Sequence, residues 1–390
     1  MELPDYHGGG IVNLMRSIER GLGATACAAA AAYPESTALP GQALLGARNI
    51  VLLVIDGLGY DYLAGAGAGG ALQHHLKARL TSEFPSTTAT AVSTFLSGVG
   101  PQQHALTGWH IWLRELGCTA ATLRFRARHG GEPFSKAGVA PRSVYTAQPM
   151  FDRLAAKSHV VSPDTIIDSD YNVAHCGTAV RRPYKELPDM FAAVSEIVRS
   201  SEERTFVHAY TCDFDAAAHT FGCASPELQN TFRRIDAAFA RFLDEIAGSD
   251  TLVIAVADHG FIDAPKAACI ELADHPQLAE TLVLPLCGER RVAYCYVQPG
   301  RQDAFERYIQ TRLSDCAELY RSTDLIARGW FGLGPTHPRL AERVGHYTVL
   351  MKDDYTIKDW IAGESHHLTV GVHGGVSAAE MHVPLILAAA

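Results

Sequence analysis

Aspartates and histidines recur in this sequence at spacings that could hold a divalent cation. Asp215 and His219 stand four apart in Cys212-Asp-Phe-Asp-Ala-Ala-Ala-His-Thr-Phe-Gly222. On a helical turn that spacing puts a carboxylate and an imidazole on one face, within reach of a single ion. Asp258 and His259 are adjacent and precede Gly260. They can reach one ion if the backbone turns sharply, which glycine permits. His373 is followed by two glycines that would let the backbone pass close to an ion, and Asp56 ends the apolar run that starts at Asn49. Thr88 lies in a Ser/Thr-rich stretch after Pro85. If a helix starts there, its free N–H groups and dipole favour an anion such as a phosphoryl group. Each feature alone has a commoner role as a surface pair, a helix cap or a hydrogen-bonded Asp–His pair.

The elements that must position these residues are legible around them. Ile50–Ile55 is an unbroken apolar run, and Thr205–Thr211 (TFVHAYT) and Thr251–Ala257 (TLVIAVA) are two further clear strand-like runs. Such runs read as strands buried on both faces, typical of a parallel sheet. Functional groups in these sheets sit just past the carboxyl ends of the strands, where Asp56, Asp215 and Asp258 fall. Helices are expected over Ile11–Leu22, from the Ser/Thr cluster to Gly98, over Met190–Val198 and over Ser225–Ala247. The last has Ser225 as cap, Pro226 in its first turn and an apolar stripe of Leu228, Phe232, Ile235, Phe239, Phe242 and Ile246. His159–Val161 and a final apolar run after His382 add strands. The fold class expected is α/β, a mainly parallel central sheet flanked by helices, carried by residues 1–264 and 366–390. Residues 265–365 lack the Asp/His motifs and read as a small α+β insert or cap. Its elements are strands at Val292–Val297, Leu319–Tyr320 and Gly345–Met351 and a helix at Gln302–Leu313. Gly108–Gly117 reads as a short amphipathic segment, and Phe125–Pro149 as a long surface excursion.

Composition narrows the function. The net charge is −9 and there is no long basic run, which argues against a nucleic-acid polymer as partner. A small anionic substrate stays open, because a bound metal reverses the local field. The nine cysteines are odd in number and form no C-x-x-C pair, so reduced thiols and a cytoplasmic location are expected. The acidic N-terminus lacks a hydrophobic segment, and Ala24–Ala32 is too short to span a bilayer.

Taken together and in order, five stretches resemble the alkaline phosphatase superfamily, and within it the type I phosphodiesterase/nucleotide pyrophosphatase branch. They are VIDGLG from Val54, PSTTATAVSTFLSG from Pro85, DAAAHTFG from Asp215, ADHGF from Ala257 and HGGVSAAEMHVPLI from His373. The resemblance implies a parallel-sheet core with two divalent metals, zinc with manganese as the alternative. By motif, Thr88 corresponds to the nucleophile and joins Asp56, Asp258 and His259 around one ion. Asp215, His219 and His373 would hold the other, Asp213 being a weaker candidate. A phosphothreonine intermediate is implied. Many members place an asparagine about twenty residues after the nucleophile, as donor to a phosphoryl oxygen; here that place is Trp109, which offers one N–H. The donor could be Trp109, His110, a backbone N–H or an arginine such as Arg114. The expected function is hydrolysis of phosphodiester or nucleotide pyrophosphate bonds in a small phosphorylated substrate. Rivals are a phosphomonoesterase or phosphonate hydrolase on the same core and, in another class, a non-catalytic metal-binding interaction protein. An extra cation at the site would favour a monoester, and an apolar pocket a diester.

Overall fold

The computed structural model describes residues 1–390. Its main sheet runs, from one edge to the other, Leu76–Thr81, His382–Ala389, Thr251–Val256, Asn49–Ile55, Thr205–Thr211, Lys157–Pro163 and Val180–Tyr184. The last five of these are parallel to one another. The C-terminal strand runs antiparallel to both its neighbours. All seven residues of Asn49–Ile55 and of Thr205–Thr211 are buried, as continuous apolar runs require when both faces are covered.

Register decides where the site forms. Asn49 pairs with Thr205 on one side and with Thr251 on the other. Ile55 lies level with Thr211, and Val54 with Val256. Three adjacent parallel strands therefore end together, and Asp56, the Cys212–Asp215 segment and Asp258 leave the sheet side by side at the carboxyl ends of these strands.

Helices cover the sheet as their patterns require. Ile11–Gly21, Thr88–Ser97, Leu187–Ser200 and Pro226–Glu245 all form. The Ser225 hydroxyl accepts from the Leu228 N–H at 3.1 Å, and Leu228, Phe232, Ile235, Phe239 and Phe242 are buried. Phe242 meets Phe191 of the Leu187–Ser200 helix with ring centroids 5.1 Å apart.

The second sheet is antiparallel, in the order Ala317–Arg321, Tyr347–Met351, Val292–Cys295, Cys287–Gly288, His110–Leu113, Cys118–Ala121 and Arg126–Ala127. It has its own core, including Phe305, Ile309, Tyr347 and Val349. Residues 110–127, read from sequence as an amphipathic segment running into a surface excursion, supply three of its strands. Their pairing is short and non-local: Gly288 alone of its strand meets His110. No sequence periodicity reports a contact of that kind. The second sheet thus draws strands from both sides of residue 265.

A buried ion pair ties the second sheet to the C-terminal segment. Arg291 Nε and Nη2 donate to Glu380 Oε1 and Oε2 at 3.1 and 3.2 Å, with both side chains almost fully buried. Glu380 also accepts from the Gly375 N–H at 2.8 Å and the Ser377 hydroxyl at 2.7 Å, which fixes the loop after His373. Glu380→Ala would leave a guanidinium buried without its partner. The expected loss is about 3–5 kcal/mol of stability in urea unfolding, and a loss under about 1 kcal/mol would show that the pair does not hold the two parts together.

Candidate metal centre

Asp56 directly follows the central strand and is 2 % exposed; Asp258 and His259 are fully buried. The ligand atoms of Asp56, Asp258 and His259 lie within 4.8 Å of one another, and so do those of Asp215, His259 and His373. His259 Nε2 is 3.4 Å from Asp56 Oδ1 and 3.5 Å from Asp258 Oδ2. His219 Nε2 is 3.4 Å from Asp215 Oδ1 and 3.3 Å from His373 Nε2. His373 Nε2 is 3.9 Å from the same Asp215 oxygen. Sequence reasoning divided these residues into two sets; the structure brings all six into one continuous cluster in which His259 adjoins both. Its ring stacks on that of His373 at 3.7 Å and 16°. Asp213 lies in the first turn of the next helix, outside both groups.

Hydrogen bonding fixes the tautomer of three histidines. His219, His259 and His373 each place Nδ1 against a backbone carbonyl, of Gly371 at 2.8 Å, Gly260 at 3.1 Å and Ser86 at 3.3 Å. A carbonyl only accepts, so each Nδ1 carries the proton and each Nε2 presents a lone pair. The Nε2 atoms of His219 and His373 thus face each other as two acceptors. Asp56 Oδ1, Asp215 Oδ1 and Asp258 Oδ2 are buried and have no hydrogen-bond partner. Three unpartnered carboxylate oxygens facing imidazole lone pairs form a donor set that two divalent ions would fit. Nitrogen and oxygen donors suit zinc and also accommodate manganese.

The electrostatics agree. Burial, then the neighbouring Asp258 and Asp215 carboxylates, holds the Asp56 carboxyl well above its usual range. Burial pushes Asp215 up to about 7, opposed by His259 and reinforced by Asp258. Burial lowers His373, with His259 and His219 adding to the effect, and burial lowers His219. Tyr210, in the neighbouring strand, donates to Asp56 Oδ2.

Thr88 is the first residue of its helix and is 9 % exposed. Its Oγ1 lies 3.1 Å from His259 Nε2 and donates to that lone pair. The Thr90 N–H donates to the Thr87 carbonyl at 3.0 Å, which leaves the N–H groups of Thr88 and Ala89 without an intrahelical partner. The Thr87 side chain does not cap them; its hydroxyl instead donates to Glu289 Oε1 at 2.7 Å. The Trp109 backbone N–H donates to the same oxygen at 2.6 Å. Burial pushes Glu289 up to about 7, against the pull of these two bonds.

Two cavities meet at Thr88. One, of about 510 Å³, is polar and includes Glu289, Arg124, Arg126 and Lys358. The other, of about 590 Å³, includes Val92, Leu96, Leu123, Val160, Ile166 and Tyr171. Trp109 lines both, and His110 the polar one. Arg114 points elsewhere, pairing with Glu342 at 2.9 Å, because it lies in the turn after its strand. His366 stacks on Trp360, and His382 is 3.6 Å from Glu2.

Glycine acts differently from expectation at one position. Gly260 does not have a positive φ; a Cβ there would lie 2.0 Å from the Ala379 carbonyl oxygen, so close approach rather than a turn requires it. Gly374 has φ +107, and a Cβ would come within 2.9 Å of Glu289. Sequence reasoning missed Tyr210 and Glu289. Tyr210 is one aromatic in an apolar strand, and Glu289 reaches the site only through pairing of the second sheet.

A profile of the type I phosphodiesterase/nucleotide pyrophosphatase family matches residues 50–376. The chain belongs to this family. Among solved structures, murine ectonucleotide pyrophosphatase/phosphodiesterase 5, an inactive threonine-to-alanine form in complex with AMP, superposes with a TM-score of 0.65 at 16% identity, covering 86% of this chain and 87% of that one. The human protein of the same name gives 0.65 at 17%, covering 87% of each chain. Phosphonoacetate hydrolase from Sinorhizobium meliloti 1021 in complex with phosphonoacetate gives 0.64 at 16%, covering 88% and 90%. No curated protein sequence gives a significant match. The family's fold, a mostly parallel sheet flanked by helices, is the fold of this chain.

The buried carboxyls make a testable statement about the metal-free protein. A carboxyl raised in the folded state binds more protons than in the unfolded chain, so its contribution to stability falls as pH rises through the folded value. The lowered histidines act in the opposite sense, but only below their ordinary value of about 6.5. Above that the raised carboxyls dominate: Asp56, Asp215 and Glu289, the last two at about 7, and the buried Glu83 at about 8. Chelator-treated protein is expected to lose stability to urea between about pH 6.5 and pH 8, and zinc is expected to reduce the loss by removing the share of Asp56 and Asp215. A flat profile without metal would contradict this reading.

Proposed function

We propose that this chain is a two-metal phosphoesterase that hydrolyses phosphodiester or nucleotide pyrophosphate bonds through a phosphothreonine on Thr88. The observation that carries the reading is the position of Thr88 Oγ1, 3.1 Å from His259 Nε2, where both ligand groups and both cavities meet. Family membership supports the reaction class, and a structural relative is inactive in a threonine-to-alanine form.

Within this reading Asp56, Asp258, His259 and Thr88 would hold one divalent ion, and Asp215, His219 and His373 the other. When bound, the ions supply positive charge that lowers the pKa of a coordinated hydroxyl and offsets charge on the phosphoryl oxygens. Thr88 Oγ1 attacks phosphorus, its bond to phosphorus forming as the bond to the leaving oxygen breaks. The first-turn N–H groups of its helix donate to the phosphoryl oxygens. Water then attacks the phosphothreonine, releasing the phosphorylated product and restoring the Thr88 hydroxyl. Two cavities at one nucleophile suit a phosphorus with two substituents, and the apolar one suits a diester. The nine unpaired thiols support a reducing, cytoplasmic setting.

The likeness to a phosphonoacetate hydrolase supports a second reading, hydrolysis of a phosphonate on the same core. Zinc-loaded protein assayed on bis-p-nitrophenyl phosphate, p-nitrophenyl phosphate and phosphonoacetate separates them. Chelator-sensitive preference for the diester is expected; preference for the monoester, or phosphate release from phosphonoacetate alone, would move the assignment. Thr88→Ala is expected to lower kcat by about 10³-fold or more with metal content unchanged. Wild-type turnover in that variant would sink the phosphothreonine.

A further inference from the structure

Charge around the polar cavity is unevenly committed. Arg128 is buried and pairs with Asp359 at 2.7 Å and Glu364 at 2.8 Å. Lys358 lies 3.3 Å from Glu364. Arg290 donates to Thr369 Oγ1 at 3.0 Å and Thr356 Oγ1 at 3.1 Å. His110 is held neutral: burial, then Arg128 and Lys358, lowers it to about 3. Arg124 and Arg126 alone among the arginines and lysine of this cavity have no ion pair and no side-chain hydrogen bond. Both also line the apolar cavity, so they border the junction together with Thr88, Trp109 and Asp215.

The turn that carries them is held rigidly. Phe125, between the two arginines, has φ +47, a conformation costly for an aromatic residue unless its surroundings enforce it. The surroundings are specific. The Phe125 ring is 1 % exposed and packs against Phe134 at 5.3 Å and Tyr145 at 5.2 Å. Tyr145 donates from its hydroxyl to the Thr122 carbonyl at 2.6 Å, and Thr122 Oγ1 donates to the Gly108 carbonyl at 2.6 Å. Arg126 belongs to the strand pair that matches it with Ala121. The Arg124 guanidinium lies over the Trp109 ring at 5.7 Å, which orients it by a cation–π contact. Strain kept at an aromatic residue, with an uncommitted guanidinium on each side, is the pattern of a preorganised binding element.

We propose that Arg124 and Arg126 form a second anion-binding subsite, which selects substrates carrying a phosphate or carboxylate group beyond the scissile phosphorus. The inference rests on the phosphoesterase reading above and names its substrate class. Charge balance supports it. Three aspartates facing two divalent ions leave a net charge of about +1, enough for the single charge of a diester and not for a further anion. Two guanidinium groups match that further anion, and their planar forks suit either phosphate or carboxylate.

Calorimetric titration of the zinc-loaded protein tests this with three small probes. Ethylphosphonate has one anionic group, 3-phosphonopropionate adds a carboxylate and 1,2-ethylenediphosphonate adds a second phosphonate. The two longer probes are expected to bind about tenfold or more tighter than ethylphosphonate. In Arg124→Gln/Arg126→Gln that advantage should disappear. The probe with the larger advantage identifies the preferred second group. Equal affinity for all three probes would overturn the proposal, and so would an advantage that survives in the double variant. Arg124→Gln alone, at an exposed turn position, provides a second variant and should lose part of the advantage. Because binding is read rather than turnover, protein that fails to hydrolyse any phosphate ester would remove the phosphoesterase reading and leave this subsite standing or falling on its own data.

Discussion

Asp56, Asp215 and Asp258 bring carboxylates together beyond the carboxyl ends of three central strands of the main sheet, and much of the site's architecture follows from that accumulation of like charge. A buried carboxylate without a partner is costly, and three close together are more costly still. Tyr210 relieves one oxygen of Asp56. The oxygens facing inward have no protein donor, and the histidines opposite them present lone pairs rather than protons. The polypeptide has built a strongly cation-seeking cluster and holds it with three strands in strict register.

The surrounding parts can be understood as managing that cluster. The Thr88 helix aims its N-terminus at it, so the positive field at the start of that helix points where phosphoryl oxygens would sit. The second sheet approaches from another direction with Glu289, Trp109 and the Phe125 turn. The Arg291–Glu380 pair joins that sheet to the loop carrying His373. Asp56, Asp215, His219, Asp258 and His259 follow strands of the main sheet, while Glu289, Trp109 and the Phe125 turn come from the second sheet. The two are coupled at His373, whose following loop is held by the Arg291–Glu380 pair.

How much of this could be read from sequence depended on how local each signal was. The buried parallel strands were legible because an apolar run ending in aspartate needs no partner to be recognised, and Ser225-Pro226 marked its helix by local capping. The six Asp and His candidates and Thr88 lie in the cluster, because their motifs are short and local. The second sheet was only half legible. Val292–Cys295 and Tyr347–Met351 announce themselves, but Cys287–Gly288 and Arg126–Ala127 are two residues each and become strands only by pairing with distant chain. Glu289 and Tyr210 were invisible for a related reason, since a single polar residue acquires its role from what the fold sets against it. The role of Gly260 was misread because close backbone approach leaves no trace in the sequence.

The order of strands in the main sheet also bears on how the chain matures during synthesis. Leu76–Thr81 pairs along its length only with His382–Ala389, which lies about 300 residues further on, a very long sequence separation for one pairing. Until those last residues emerge from the ribosome, an early strand waits with its edge unpaired, and one side of the Thr251–Val256 strand waits with it. His373 emerges only shortly before them. The nascent chain can collapse around Asn49–Ile55 and Thr205–Thr211 much earlier. Closing the sheet edge and completing the ligand cluster are late events that fall close together, so a truncated product would display both an open edge and an incomplete site.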